Sequence, residues 1–173
     1  MKIFITSILI LVSLISNAQF QLNGEIRPRL EYREGYKSPV DSLSDPAIFV
    51  TQRTRLNARY TKDQLTAGIS IQDVRVWGSQ SQQNLNDGLL SVNEAWFEYN
   101  FTKKFSLKAG RQQLVYNDHR IFGNSDWNTQ GRSHDLMLLK FSDSTWTVHS
   151  GFAFNQNKEQ LNTTLYTVTN SYK

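Results

Sequence analysis

Residues 22–33 read LNGEIRPRLEYR. Leu22, Gly24, Ile26, Pro28, Leu30 and Tyr32 alternate with Asn23, Glu25, Arg27, Arg29, Glu31 and Arg33. A period of two sends successive side chains to opposite faces of an extended chain. The stretch therefore reads as a strand over about residues 21–36, with one apolar face and one face crowded with Arg and Glu.

The same alternation recurs six times downstream. Residues 50–61 set Leu56, Ala58 and Tyr60 against Arg53, Arg55, Asn57 and Arg59. From Leu65, Ala67, Ile69 and Ile71 oppose Thr66, Gly68, Ser70 and Gln72. Residues 89–101 oppose Ala95, Phe97, Tyr99 and Phe101 to Glu94, Trp96 and Glu98. A fifth segment begins Phe105, Leu107, Ala109; a sixth covers residues 135–141; a seventh carries Trp146, Val148, Phe152 and Phe154. After residue 19 no stretch of comparable length carries a helical repeat, so the predicted fold class is all-β and antiparallel.

The connections alternate in length. Residues 61–64, 102–104 and 142–144 are short turns, whereas 37–49, 78–88 and 117–134 are long and polar. Short turns at one end and long loops at the other mark an outer-membrane β-barrel. Tyr60, Tyr99, Phe101, Phe105 and Trp146 flank the short turns, where an aromatic girdle sits at the inner membrane interface. A soluble β-sandwich or jelly roll also alternates and turns this often. Its surface, however, would mix Lys, Ser and Thr rather than concentrate Arg and Glu.

The N-terminus supports export. Lys2 precedes an apolar run of about thirteen residues, Ile3 to Ile15, followed by Ser16, Asn17 and Ala18. This is the pattern of a signal peptide, expected over residues 1–18, and the run is shorter than the roughly twenty residues of a membrane-spanning helix. Removing 18 of 173 residues leaves 155 and lowers the formal charge from +4 to +3. A mean hydropathy of -0.49 excludes a bundle of membrane helices. Absence of cysteine excludes disulfides, thiolate metal sites and thiol catalysis.

On the charged face, the first two strands supply Arg27, Arg29, Arg33, Arg53, Arg55 and Arg59 against Glu25 and Glu31, a surplus of four positive charges. Guanidinium keeps its charge at any relevant pH and presents forked donors that match a carboxylate. Such a ladder suits an anionic solute moving through a water-filled lumen, although Arg and Glu can also pair to stiffen a barrel. Asp73, Arg75 and Arg111 interrupt the apolar faces of their strands. A β-bulge after Ile71 and another after Ala109 would turn these charges inward to join Glu94, Glu98 and Lys108 in one ring. Alternatively, the strands leave the bilayer there, with Trp77 and Tyr116 marking the outer interface.

Residues 120–135, RIFGNSDWNTQGRSHD, read as a long external loop. Asn124, Asp126 and Asn128 have alternate spacing suited to calcium, but Thr129 stands where an EF-hand loop needs glycine. His119, His134 and His149 show no metal spacing, and no nucleophile-elbow, phosphate-loop or dinucleotide motif is present. No catalytic residue, metal or cofactor is expected.

QDVRVWG at 72–78, NEAWFE at 93–98, KAGRQQL at 108–114, and GNSDWN with GRSHD within 123–135 together resemble the alginate export family of outer-membrane β-barrels in its Bacteroidetes-like form. The resemblance implies a wide barrel of about eighteen strands that passes a uronate polymer or oligomer through an Arg-rich lumen. It extends pore-lining roles to Asp73, Arg75, Glu94, Glu98, Lys108, Arg111 and Arg132. Because a single-chain bacterial barrel needs an even strand number, residues 19–173 are expected to be the N-terminal part of a larger barrel. The expected partners are an anionic poly- or oligosaccharide, outer-membrane lipid and periplasmic export or uptake components, with no nucleic acid. A general porin and an exported carbohydrate-binding β-sandwich are the rival expectations.

Overall fold

The computed structural model describes residues 19–35, 45–83 and 88–153. The expected signal peptide, the Asn-rich tail and Phe154 lie outside the described residues. Seven strands form one antiparallel sheet in sequence order. They are β1 Phe20–Arg33, β2 Ala47–Lys62, β3 Leu65–Val76, β4 Leu90–Asn100, β5 Phe105–Gln112, β6 His134–Ser142 and β7 Thr147–Phe152. Each strand pairs with its neighbour in the chain, and among the described residues the sheet is open.

Register carries the sequence alternation across the sheet. Leu22 lies opposite Ala58, Gly24 opposite Leu56 and Leu30 opposite Val50, while Glu25 faces Arg55 and Arg27 faces Arg53. Ala58 meets Ile69 and Leu56 meets Ile71 on β3. Directly opposed residues share a face, so one apolar and one charged face run from strand to strand.

The short turns have local causes. Asp63 takes the left-handed conformation (φ 51) in the two-residue link from β2 to β3, which Asp tolerates in tight turns. Between β6 and β7, the Asp143 carboxylate accepts hydrogen bonds from the backbone N–H of Trp146 (2.8 Å) and Thr145 (2.9 Å). Those donors hold its carboxyl below the usual aspartate range. Aromatic side chains gather at this end, with Tyr99 edge-on to Phe101 at 5.4 Å and Phe105 against Phe141 at 4.8 Å.

Burial is inverted relative to a water-soluble fold. Leu138 is the sole hydrophobic residue buried among the described residues, whereas Thr51, Arg53, Arg55, Ser70, Gln72, Asn93, Ser106 and Gln112 are buried polar ones. Ile26, Leu30 and Ile48 are about 70% exposed on the apolar face. A sandwich would cover that face with a second sheet; among the described residues there is one sheet and nothing on it. An uncovered apolar band backed by a charged face is the pattern of a lipid-facing barrel wall.

The expected bulges are not where the alternation breaks. β3 keeps unbroken register with β2, with Thr54 opposite Asp73 and Gln52 opposite Arg75, so both charges stay on the apolar face. The irregularity lies on β4, where Ser70 pairs with Glu94 and Ile71 with Val92, leaving Asn93 as the extra residue. β5 also stays in register, and Arg111 faces outward between Ala95 and Asp135. Mutual neutralisation replaces the bulges: Arg75 Nε lies 2.6 Å from Asp73 Oδ1 and Arg111 Nη1 lies 2.9 Å from Asp135 Oδ2. Trp77 donates to Gln52 at the same end of the wall (3.0 Å). Outward charges become less costly near a membrane interface. The arrangement therefore matches strands leaving the bilayer at this level.

Gly110 is needed where β4 and β5 approach each other. Its φ is +115, and a Cβ there would sit 2.3 Å from the Ala95 carbonyl oxygen. Gly110→Ala is expected to destabilise the sheet by about 2 kcal/mol or more. A lower urea midpoint of the detergent-solubilised protein, followed by loss of its heat-modifiable gel shift, checks this.

Candidate functional site

The connection from β5 to β6 does not project away from the wall. Its residues 123–133 fold back onto the charged face of β1 to β3. The segment is shaped locally before it is held. Asn124 Oδ1 accepts from the Asp126 N–H (3.3 Å), Asn128 N donates to the Ser125 carbonyl (2.9 Å), and Arg132 N donates to the Asn124 carbonyl (2.6 Å). Asn124 Nδ2 also donates to Gln113 Oε1 (3.0 Å), tying the segment to the end of β5.

Arginines of β1 and β2 then grip this compact turn. Arg27 Nη2 donates to the carbonyls of Asp126 (2.8 Å) and Asn128 (3.0 Å). Arg29 donates to the Trp127 carbonyl (2.9 Å) and to Thr129 Oγ1 (3.0 Å). The Asp126 carboxylate lies 2.8 Å from Arg53 Nη1, with Arg27 at 3.4 Å and Arg55 at 3.5 Å. Arg53 is also paired with Glu25 (2.7 Å), and Arg55 donates to Gln72 Oε1 (2.7 Å). Gln72 in turn donates to the Gln130 carbonyl (3.0 Å).

The charged-face residues thus divide by what they touch. Arg53 is 1% exposed and Arg55 7%, so both hold the segment rather than present donors to a solute. Arg29 and Arg33 flank Glu31 and pair with it, Arg29 at 2.8 Å, and Arg33 also lies 4.8 Å from the Phe49 ring. Arg132 is exposed within the segment itself. Asp73, Arg75 and Arg111, expected in the ring with Glu94, Glu98 and Lys108, are on the opposite face and outside any lumen. Their alternation is unbroken and their charges are paired outside, so nothing draws them inward.

A second cluster sits nearer the short turns. Glu94 Oε2 accepts from Trp96 Nε1 (2.9 Å). Lys108 Nζ lies 3.8 Å from the Trp96 ring centre and the Arg59 guanidinium carbon 5.6 Å. Glu98 accepts from Lys140 Nζ (2.7 Å) and Ser106 Oγ (2.9 Å). Trp96, Lys140, Gln72 and Asp126 are residues that pore-lining reasoning from the sequence passed over. Trp96 and Lys140 were within reach of it, since both stand at charged-face positions of otherwise apolar-edged strands.

Two chemistries fit this surface poorly. The alternate spacing of Asn124, Asp126 and Asn128 does not make a calcium loop, because guanidinium groups surround the one carboxylate and repel a cation. Among the described residues no group of three His, Asp or Glu could hold a metal ion. What the surface offers is fixed positive charge with forked donors, partly neutralised by one inserted carboxylate. The family model described as alginate export matches residues 18–156. No curated protein matches the chain.

The lock has a defined pH range. The hydrogen bond from Arg53, aided by the positive charges of Arg27 and Arg55 and opposed by burial, holds the Asp126 carboxyl below the usual aspartate value of about 3.9. A depressed folded value means that the stabilisation is fully present above the unfolded pKa and is lost as pH falls through the folded one. The segment should therefore stay docked from neutral pH down to about 4 and detach only below that. Asp126→Asn should free it at neutral pH, with a loss on the order of 2 kcal/mol. Protease cleavage within residues 123–133, followed against pH in both proteins, reads this directly.

Proposed function

The chain belongs to the alginate export family, and from that premise we propose that its sheet is wall of an outer-membrane channel for anionic polysaccharide or oligosaccharide. The family is one of transport rather than of enzymes, and it supplies the outer-membrane location and a polysaccharide solute. The observation that carries the finer reading is the surplus of arginine on the face turned away from the apolar band. Asp126 lowers the surplus of β1 and β2 from four to three without removing it. A solute rich in carboxylates, such as a uronate polymer, meets fixed donors along its path. Weak contacts at several positions let it pass by diffusion without being trapped.

On this reading the residues have different parts. Arg27, Arg53 and Arg55 anchor the segment that narrows the path, Arg29 both anchors it and stays partly exposed, and Arg33, Arg59, Lys108 and Arg132 keep charge facing the lumen. Glu94 and Glu98 orient their neighbours and limit the net positive field. Asp73, Arg75 and Arg111 have no part in conduction and meet the membrane boundary.

The test is reconstitution of the native outer-membrane protein in planar bilayers under a salt gradient. An anion-selective reversal potential is expected, moving toward cation selectivity in Arg29→Glu with Arg33→Glu. Selectivity that does not change in that double variant would overturn the role of the arginines. Anion selectivity without block by a uronate oligomer would leave a general porin in place of a polysaccharide channel.

A further inference from the structure

β4 is paired with β3 from Leu90 to Tyr99, but its pairing with β5 begins only at Ala95, opposite Arg111. Among the described residues no strand lies on the β5 side of Leu90 to Glu94, so the wall has a gap there. Backbone groups without a strand partner are costly in a membrane. One of them is met by a side chain, the Val92 carbonyl accepting from Arg111 Nε (3.1 Å).

A cavity of about 380 Å³ occupies the gap, within the size range of small-ligand sites. It is bordered by Ser91, Val92 and Asn93 of β4, by Arg111 of β5, and by Gln130 and Ser133 of the locked segment. Arg111 belongs to the outer face and Gln130 to the lumen side, so the cavity lies within the thickness of the wall. Two of its bordering residues hold donors without a partner. Asn93, reaching it from the charged face, is 4% exposed, and its Nδ2 is buried and unpaired. Arg111 spends Nη1 on Asp135 of β6 (2.9 Å), and among the described residues its Nη2 has no partner. Ser91 and Ser133 add hydroxyls, and no carboxylate borders the cavity. Buried donors left unpaired call for acceptors. Phosphate oxygens are the acceptors that a guanidinium recognises best.

The outer face supplies a second, apolar half. Ile69, Phe97 and Met137, all about half exposed, lie at and below the Ala95–Arg111 pair. A polar slot directly above an apolar band, at the level where the strands leave the bilayer, suits an amphiphile whose chains lie on the band. The long connections mark this end as the outer one, which faces the lipopolysaccharide leaflet. We propose that the gap between β4 and β5 is a binding site for lipopolysaccharide, taking one phosphorylated glucosamine of its lipid anchor, with the phosphate on Arg111 and Asn93 and the sugar hydroxyls beside Ser91 and Ser133. The proposal goes beyond the channel reading and needs only that the sheet is wall in an outer membrane. The lipid head completes the wall where β5 does not.

The experiment is native mass spectrometry of the protein extracted from outer membranes and freed of lipid. Diphosphorylated lipid A, its fully dephosphorylated form and phosphatidylglycerol are added in turn. One lipid A should be retained, more tightly than either of the others. Arg111→Gln and Asn93→Ala should each weaken its retention about tenfold, while Arg75→Gln, on the same outer face but away from this cavity, should not. A heat-modifiable gel shift reports whether each variant is folded; Ser133→Ala, on the segment side of the cavity, should weaken retention too and stands in for a variant that is not. Wild-type retention in the folded variants of Arg111 and Ser133 would overturn the site, as would failure of the unmodified protein to hold any lipid. Equal retention of the dephosphorylated form would overturn the role of the phosphate, and equal retention of phosphatidylglycerol would overturn the assignment to lipopolysaccharide. All of these results leave the channel reading standing, because reversal potentials test it separately.

Discussion

Arg27 and Arg53 lie directly opposite each other on neighbouring strands, and the rest of the charged face is organised around that conflict. Like charges in this position destabilise a sheet, and Arg55 adds a third guanidinium two residues away. Glu25 offsets part of the repulsion from within the strand pair. The remainder is offset by Asp126, a carboxylate from far along the chain. Its insertion brings the backbone carbonyls of Trp127, Asn128 and Gln130 onto the remaining guanidinium donors. A segment that looks like an ornament of the wall is in this sense part of its electrostatic frame.

The same logic of local neutralisation explains the outer surface. Asp73 with Arg75, and Arg111 with Asp135, are opposite charges placed two residues apart or across a strand pair. Each pair settles its own charge without turning a strand over. The extra residue that the sheet does contain, Asn93, lies where β4 approaches the inserted segment, and Ser133 Oγ is 3.4 Å from its side-chain oxygen. The irregularity of the sheet thus serves the charged face rather than the lipid face.

The strands and their faces were legible in the sequence because a period of two needs no knowledge of distant contacts. Leu22 to Tyr32 identify their own side. The family was legible from four short motifs in order. Other features need the folded sheet. At Asp73 the sequence alone admits either a bulge or a strand leaving the bilayer, and the i, i+2 pairing with Arg75 favours the second. The docking of Asp126 depends on residues far back in the chain, Arg55 being 71 positions away and Arg27 99, and no local pattern distinguishes an exposed loop from one that folds back. Within the Trp96 cluster, alternation already puts the indole on one face with Glu94 and Glu98, but only the folded sheet brings Lys108 and Arg59 against its ring.

That long separation has a consequence for assembly. Contacts closing so large a loop form late, because chain entropy must be overcome before they are gained. Until residue 126 is in place, β1 and β2 hold a row of arginines that Glu25 and Glu31 neutralise only in part. The charge balance of the first hairpin, though not its strand pairing, therefore waits for the segment that follows the fifth strand. The order in which the wall becomes firm differs from the order in which it is delivered.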